Sequence, residues 1–155
     1  MFGKNLSQYL RFQEVILFAI AAVGLLRLGL SLAGLPNATV AWLSMNVVAW
    51  AGALYYGVAV ERRGFGSYRH ILPLAFHTMV VQQAVAVLGI MTAIAGFPNV
   101  YAAPEYSMGA QSQWVHALAH LTIGIAVPTL LMWGVGSLAL AVTRRVARRE
   151  AVAYR

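Results

Sequence analysis

The sequence predicts an all-α, polytopic membrane protein: a four-transmembrane-helix bundle, N-in and C-in, forming a single domain over residues 1–155. Three observations lead there. The chain is 61% hydrophobic and 10% charged, with a mean hydropathy of +0.72; an average soluble domain is roughly half apolar and about a quarter charged. The apolar residues gather into four long runs, 15–35, 40–60, 71–97 and 114–142. The basic residues collect in alternate connecting segments. So few charges cannot coat a soluble globule, and so apolar a chain does not stay disordered. The runs are continuously apolar rather than alternating, which argues against a β-barrel.

Residues 3–14 read as a short lead-in, amphipathic or disordered, whose Leu6, Tyr9, Leu10 and Phe12 lie at the membrane interface. The first run is longer than the apolar core of a cleavable signal and contains Arg27, so it reads as a retained helix. Each run reaches the roughly 20 residues that a spanning helix needs. The third and fourth exceed that need, which predicts tilt or kinks. Pro73 and Pro128 are the expected kink points, because proline removes a backbone donor. Segment 99–113 holds Tyr101, Pro104 and Tyr106 and follows Pro98, and reads as an ordered external cap; 143–155 reads as a basic cytoplasmic tail. Trp42 and Trp114 fall near the outer boundary and Tyr55, Tyr56 and Tyr68 near the inner one, as an aromatic belt would.

Eleven Lys and Arg stand against four Glu and no Asp, a formal net charge of +7. Lys4 and Arg11 precede the first run. Arg62, Arg63 and Arg69 join the second to the third, and Arg144, Arg145, Arg148, Arg149 and Arg155 follow the fourth. The connection 36–39 carries no charge, and 99–113 only Glu105. The positive-inside rule puts both termini in the cytoplasm and the weakly charged connections outside, in a multi-pass protein of the inner (plasma) membrane. The charges cap apolar runs instead of striping one folded face. They therefore point to the lipid bilayer as partner, not to nucleic acid. The absence of cysteine excludes disulfides, iron–sulfur ligation and thiolate chemistry.

Polar residues inside the runs are costly there and carry the functional signal. Arg27 lies about 12 Å below the outer end of the first run at about 1.5 Å per residue. It must snorkel outward, meet Glu105 or a carbonyl, or bind an anionic group. Asn46 lies about 9 Å below the outer end of the second run, beside Met45. With Ala49 and Ala53 it makes a small-residue face suited to close packing. An interhelical hydrogen bond and a ligand contact both account for it. On the third run, His77 lies toward the inner end and Gln82 and Gln83 near the middle; these amides suit interhelical glue, a quinone contact or a permeation path. On the fourth, His116 and His120 stand one turn apart, with Gln113 before them and Gly124 after. That spacing can direct two imidazoles to one metal, place one on a heme iron, or hold loops by hydrogen bonds. At helical rise, Arg27, Met45, Asn46, His116 and His120 share the outer half, and His120 with Met45 forms a depth-matched axial pair for heme.

Gln82-Gln83, Leu88-Gly89-Ile90-Met91-Thr92, Gly96-Phe97-Pro98 and Val115-His116-Ala117-Leu118-Ala119 together give segment 82–125 a resemblance to the helix-pair units of heme A synthases. The resemblance covers less than a third of the chain. It implies a four-helix unit holding heme near the outer face between histidines of its second and fourth helices, with His116 as a ligand. The second run here has no histidine, and the family's Glu-x-x-His-Arg signature is absent.

Two functional classes remain. The first is a small membrane subunit, structural or binding heme or a metal, of a respiratory or redox-type assembly, partnered by other membrane subunits or by copies of itself. The second is an oligomeric transporter or channel protomer for ions or small solutes. The runs contain no carboxylate for cation coupling, which favours the first. No catalytic residues can be named: there is no nucleophile–base pairing and no phosphate loop.

Overall fold

A computed structural model of the protein describes residues 1–107 and 110–153. Arg155 of the expected tail and the side chain of Tyr106 lie outside the described residues. The described chain is helical and contains no strand. Its helices are α1 (Leu6–Leu32), α2 (Asn37–Val40), α3 (Met45–Arg62), α4 (Tyr68–Ile94), α5 (Gln113–Leu121) and α6 (Ile123–Ala153). Two 3-10 turns, Val100–Ala102 and Pro104–Tyr106, lie between α4 and α5. Four stretches are long and apolar enough to cross a membrane: Leu6–Leu32, Asn37–Arg62, Tyr68–Ile94 and Gln113–Arg149.

Helix α1 begins at Leu6, well before its apolar run, because Asn5 caps it. The Asn5 side chain accepts from the Gln8 N–H at 2.9 Å, and the Gln8 side chain accepts from the Asn5 N–H at 2.9 Å. The lead-in is thus helical, and its residues divide. Tyr9 and Gln13 are buried within the bundle, while Leu6 and Leu10 are exposed. The second run is likewise divided. Ser44 caps α3 through its hydroxyl, which accepts from the Val47 N–H at 3.4 Å, leaving α2 as a separate turn. Gly34 and Gly96, at φ +87° and +98°, stop α1 and α4 in the left-handed conformation that favours glycine.

The fourth run breaks at Thr122 (φ −114°, ψ −88°), six residues before Pro128, and α6 runs on through the basic segment expected as a tail. Pro128 still contributes. Lacking an N–H, it leaves the Gly124 carbonyl, four residues back, without its helical donor. The Thr122 hydroxyl donates back to Leu118 O at 2.8 Å, a contact that bends helices. Helix α4 runs unbroken through Pro73.

The core is the seam where α3 and α4 meet α1 and α6. Tyr9, Ile20, Tyr56, Ile71, Leu74 and Leu140 are fully buried there. Small residues set the closest approach. A Cβ built on Gly57 of α3 would stand 2.4 Å from Gly136 O of α6. Both described ends of the chain lie at one end of the bundle. His70 Nε2 donates to Phe2 O at 3.1 Å, and Arg144 of α6 pairs with Glu61 of α3 at 2.7 Å.

Candidate functional site

The polar residues of the other end converge. Helix α1 supplies Arg27, the start of α3 Met45 and Asn46, the middle of α4 Gln82 and Gln83, and α5 His116 and His120. With Ser44, Ala86, Val100 and Tyr101, all of these except His116 line one cavity of about 200 Å³.

The Gly124 carbonyl freed by Pro128 accepts from Gln83 Nε2 at 2.8 Å. The missing side chain of Gly124 makes this approach possible: a Cβ there would stand 3.2 Å from Gln83 Nε2. That bond fixes the amide, so Gln83 Oε1 faces Nδ1 of His120 and accepts from it. His120 Nε2 in turn meets His116 Nε2 at 3.1 Å. His116 Nδ1 meets Gln113 Oε1 at 3.4 Å, whose amide is fixed by donation from Nε2 to Ala102 O at 3.0 Å. Both ends of this chain are therefore carbonyl acceptors.

Gln82 and Asn46 also pair, Gln82 Nε2 donating to Asn46 Oδ1 at 2.8 Å. The oxygen Gln82 Oε1 is buried and has no hydrogen-bond partner among the described residues. Arg27 donates to Asn37 Oδ1 at 2.7 Å and to Leu43 O at 3.4 Å, so among the alternatives the sequence left open it meets a carbonyl and an amide; Glu105 is exposed. Met45 is buried with its sulfur against α1, where a Cβ on Gly24 would stand 2.3 Å from it. Residues 99–101 close over this end. Val100 N–H donates to Ser31 Oγ at 2.9 Å, Tyr101 OH to Gly24 O at 2.9 Å and Asn99 Nδ2 to Gly89 O at 2.8 Å. Burial pushes the Tyr101 phenol up to about 12, with the Arg27 guanidinium opposing the shift.

His77 belongs to a different cluster. Its Nδ1 accepts from Gln13 Nε2 at 3.0 Å, and Gln13 Oε1 accepts from Tyr56 OH at 3.1 Å, which lies 2.8 Å from Thr78 Oγ1. Sequence reasoning missed Gln13 and Thr78 as core residues and the bond from Tyr101 OH to Gly24 O. Gln13 precedes the apolar run, and Thr78 is polar without being charged.

Heme ligation through His120 would require a ring nitrogen to leave His116 or Gln83. The cavity His120 shares with Met45 is about 200 Å³, below the roughly 300–1,000 Å³ of ordinary small-molecule sites. The residues as arranged fit a small hydrogen-bonding group better than a heme. Among the described residues no group of three or more His, Cys, Asp or Glu is placed to hold a metal ion.

No protein-family model, curated protein or solved structure matches the chain. What the fold and the site define is a class: a bundle of four potentially membrane-spanning helical stretches with a polar cavity under a folded cap.

Proposed function

We propose that the chain is a small integral subunit of a redox-type membrane assembly in the inner (plasma) membrane. Both termini are cytoplasmic, and the outer half of the bundle holds a small ligand. The observation that carries this reading is the cavity beneath Asn99, Val100 and Tyr101. It collects polar groups from α1, α3, α4 and α5 at one level, and such groups in a membrane interior mark functional sites. The charge placement supports the orientation: Lys4, Arg11, Arg62, Arg63, Arg69 and the arginines of α6 lie toward the opposite end. Exposed Val15, Phe18, Leu130, Leu131 and Leu138 on α1 and α6 suit lipid or neighbouring subunits.

The test is a native gel of mildly solubilised membranes carrying a tagged chain. The gel is stained for heme peroxidase activity and read for flavin fluorescence. Co-migration with a redox-active band is the expected result. Migration only as a lone chain or as a homo-oligomer would overturn the assembly part of the reading and favour a transporter protomer.

A further inference from the structure

The cavity carries a more specific reading of its ligand, which rests on its being a ligand site as proposed above. Gln82 is 8% exposed. Its amide orientation is set by donation to Asn46, which leaves Gln82 Oε1 as a buried acceptor without a donor. A buried acceptor left so costs roughly 1–3 kcal/mol, and the cost is recovered by whatever brings a donor. The occupant should therefore carry an O–H or N–H. A second cavity of about 340 Å³ shares Gln83 and His120 with the first as lining residues. It continues along Ile123, Gly124, Val127 and Pro128, a mainly hydrocarbon lining. A polar chamber that shares a wall with an apolar one fits a molecule with a hydrogen-bonding ring head and a hydrocarbon tail.

We infer that the cavity binds the hydroquinone head of a lipid-soluble quinol, whose ring hydroxyl donates to Gln82 Oε1 and whose tail passes into the apolar chamber by parting the Gln83–His120 hydrogen bond. The reduced form brings the donor that Gln82 lacks; the oxidised quinone brings only acceptors. The site should therefore prefer quinol over quinone.

The full chain is reconstituted in nanodiscs and kept anaerobic. Bound ligand is measured by equilibrium dialysis for decyl-hydroquinones of the benzo and naphtho series, their quinones, their dimethyl ethers, and decanol. The expected result is that a hydroquinone of either series binds about tenfold or more tightly than its quinone and its dimethyl ether, a factor within the cost of one buried unmet acceptor. Decanol should not compete. Gln82→Met should bring the hydroquinone down to the affinity of its ether. The ether comparison needs only the wild-type chain, so the inference stays testable if the variant fails to fold. Equal binding of hydroquinone and ether, competition by decanol, or no binding of any of them would overturn it. That failure would leave co-migration with a redox band intact, so it is distinguishable from failure of the assembly reading.

Discussion

Replacing Gly57 with alanine should separate α3 from α6. The added Cβ would stand 2.4 Å from Gly136 O, 2.5 Å from Ala139 Cβ and 2.8 Å from Leu140 N. Carbon atoms rest at about 3.5–4.0 Å from one another, so the two helices must part by about 1 Å. Two of the three obstructing atoms are backbone, and no rotamer change relieves them. Overpacking a tight core costs about 1–3 kcal/mol, and a rigid backbone contact places Gly57→Ala at the upper end. Helix propensity works the other way, alanine being favoured over glycine by up to about 1 kcal/mol. The net expectation is a loss of about 2 kcal/mol. Gly134→Ala is the matched control: it lies on the same helix pair, yet a Cβ there meets nothing within 4 Å, so propensity alone should stabilise it slightly. Both variants are unfolded by SDS in mixed micelles and followed by helical circular dichroism. If Gly57→Ala unfolds at the same SDS fraction as Gly134→Ala, the close α3–α6 contact is wrong.

Other consequences are open to direct measurement. Ala53→Leu, at a fully buried position whose carbonyl oxygen lies against Gly136, should destabilise the same seam by about 1–3 kcal/mol, read as a lower SDS midpoint. Asn99→Ala removes the bonds to Gly89 O and Phe97 O and should expose the cap to protease between α4 and α5 while leaving the four long helices protected. Glu105→Gln, at an exposed site, should leave the SDS midpoint unchanged. The Tyr101 phenol is raised from 10.0 to about 12 by burial. The folded state therefore keeps that proton after the unfolded state has lost it, and stability present below pH 10 should fall as pH rises from about 10 to about 12. Tyr101→Phe should remove that part of the alkaline slope.

The helical class was legible because continuous apolar runs leave few alternatives for a chain so poor in charge. Element limits were less so. Asn5 and Ser44 decide where α1 and α3 begin, and neither changes the apolar pattern that a run-based reading follows. Proline 128 drew attention to the right helix, but its effect is displaced. The freed Gly124 carbonyl is taken by Gln83 from α4, and the break falls at Thr122, a coupling that exists only once the helices pack. Depth arithmetic placed Arg27, Met45, Asn46 and His120 at one level, and the cavity brings those four together. It also separated His77, which joins Gln13 toward the other end. Depth along a helix says nothing of which side chains pair across helices. The Gln82–Asn46 and Gln83–His120 bonds, and with them the acceptor left over on Gln82, were therefore beyond the sequence.

The orientation of the site rests on both termini being cytoplasmic, and the chain's lack of cysteine makes that directly measurable. Single cysteines are introduced at the exposed positions Glu105 and Arg148 and treated in intact cells with a membrane-impermeant maleimide. Glu105→Cys should label in intact cells, and Arg148→Cys only after permeabilisation. Labelling of Arg148→Cys in intact cells, with Glu105→Cys protected, would contradict the account.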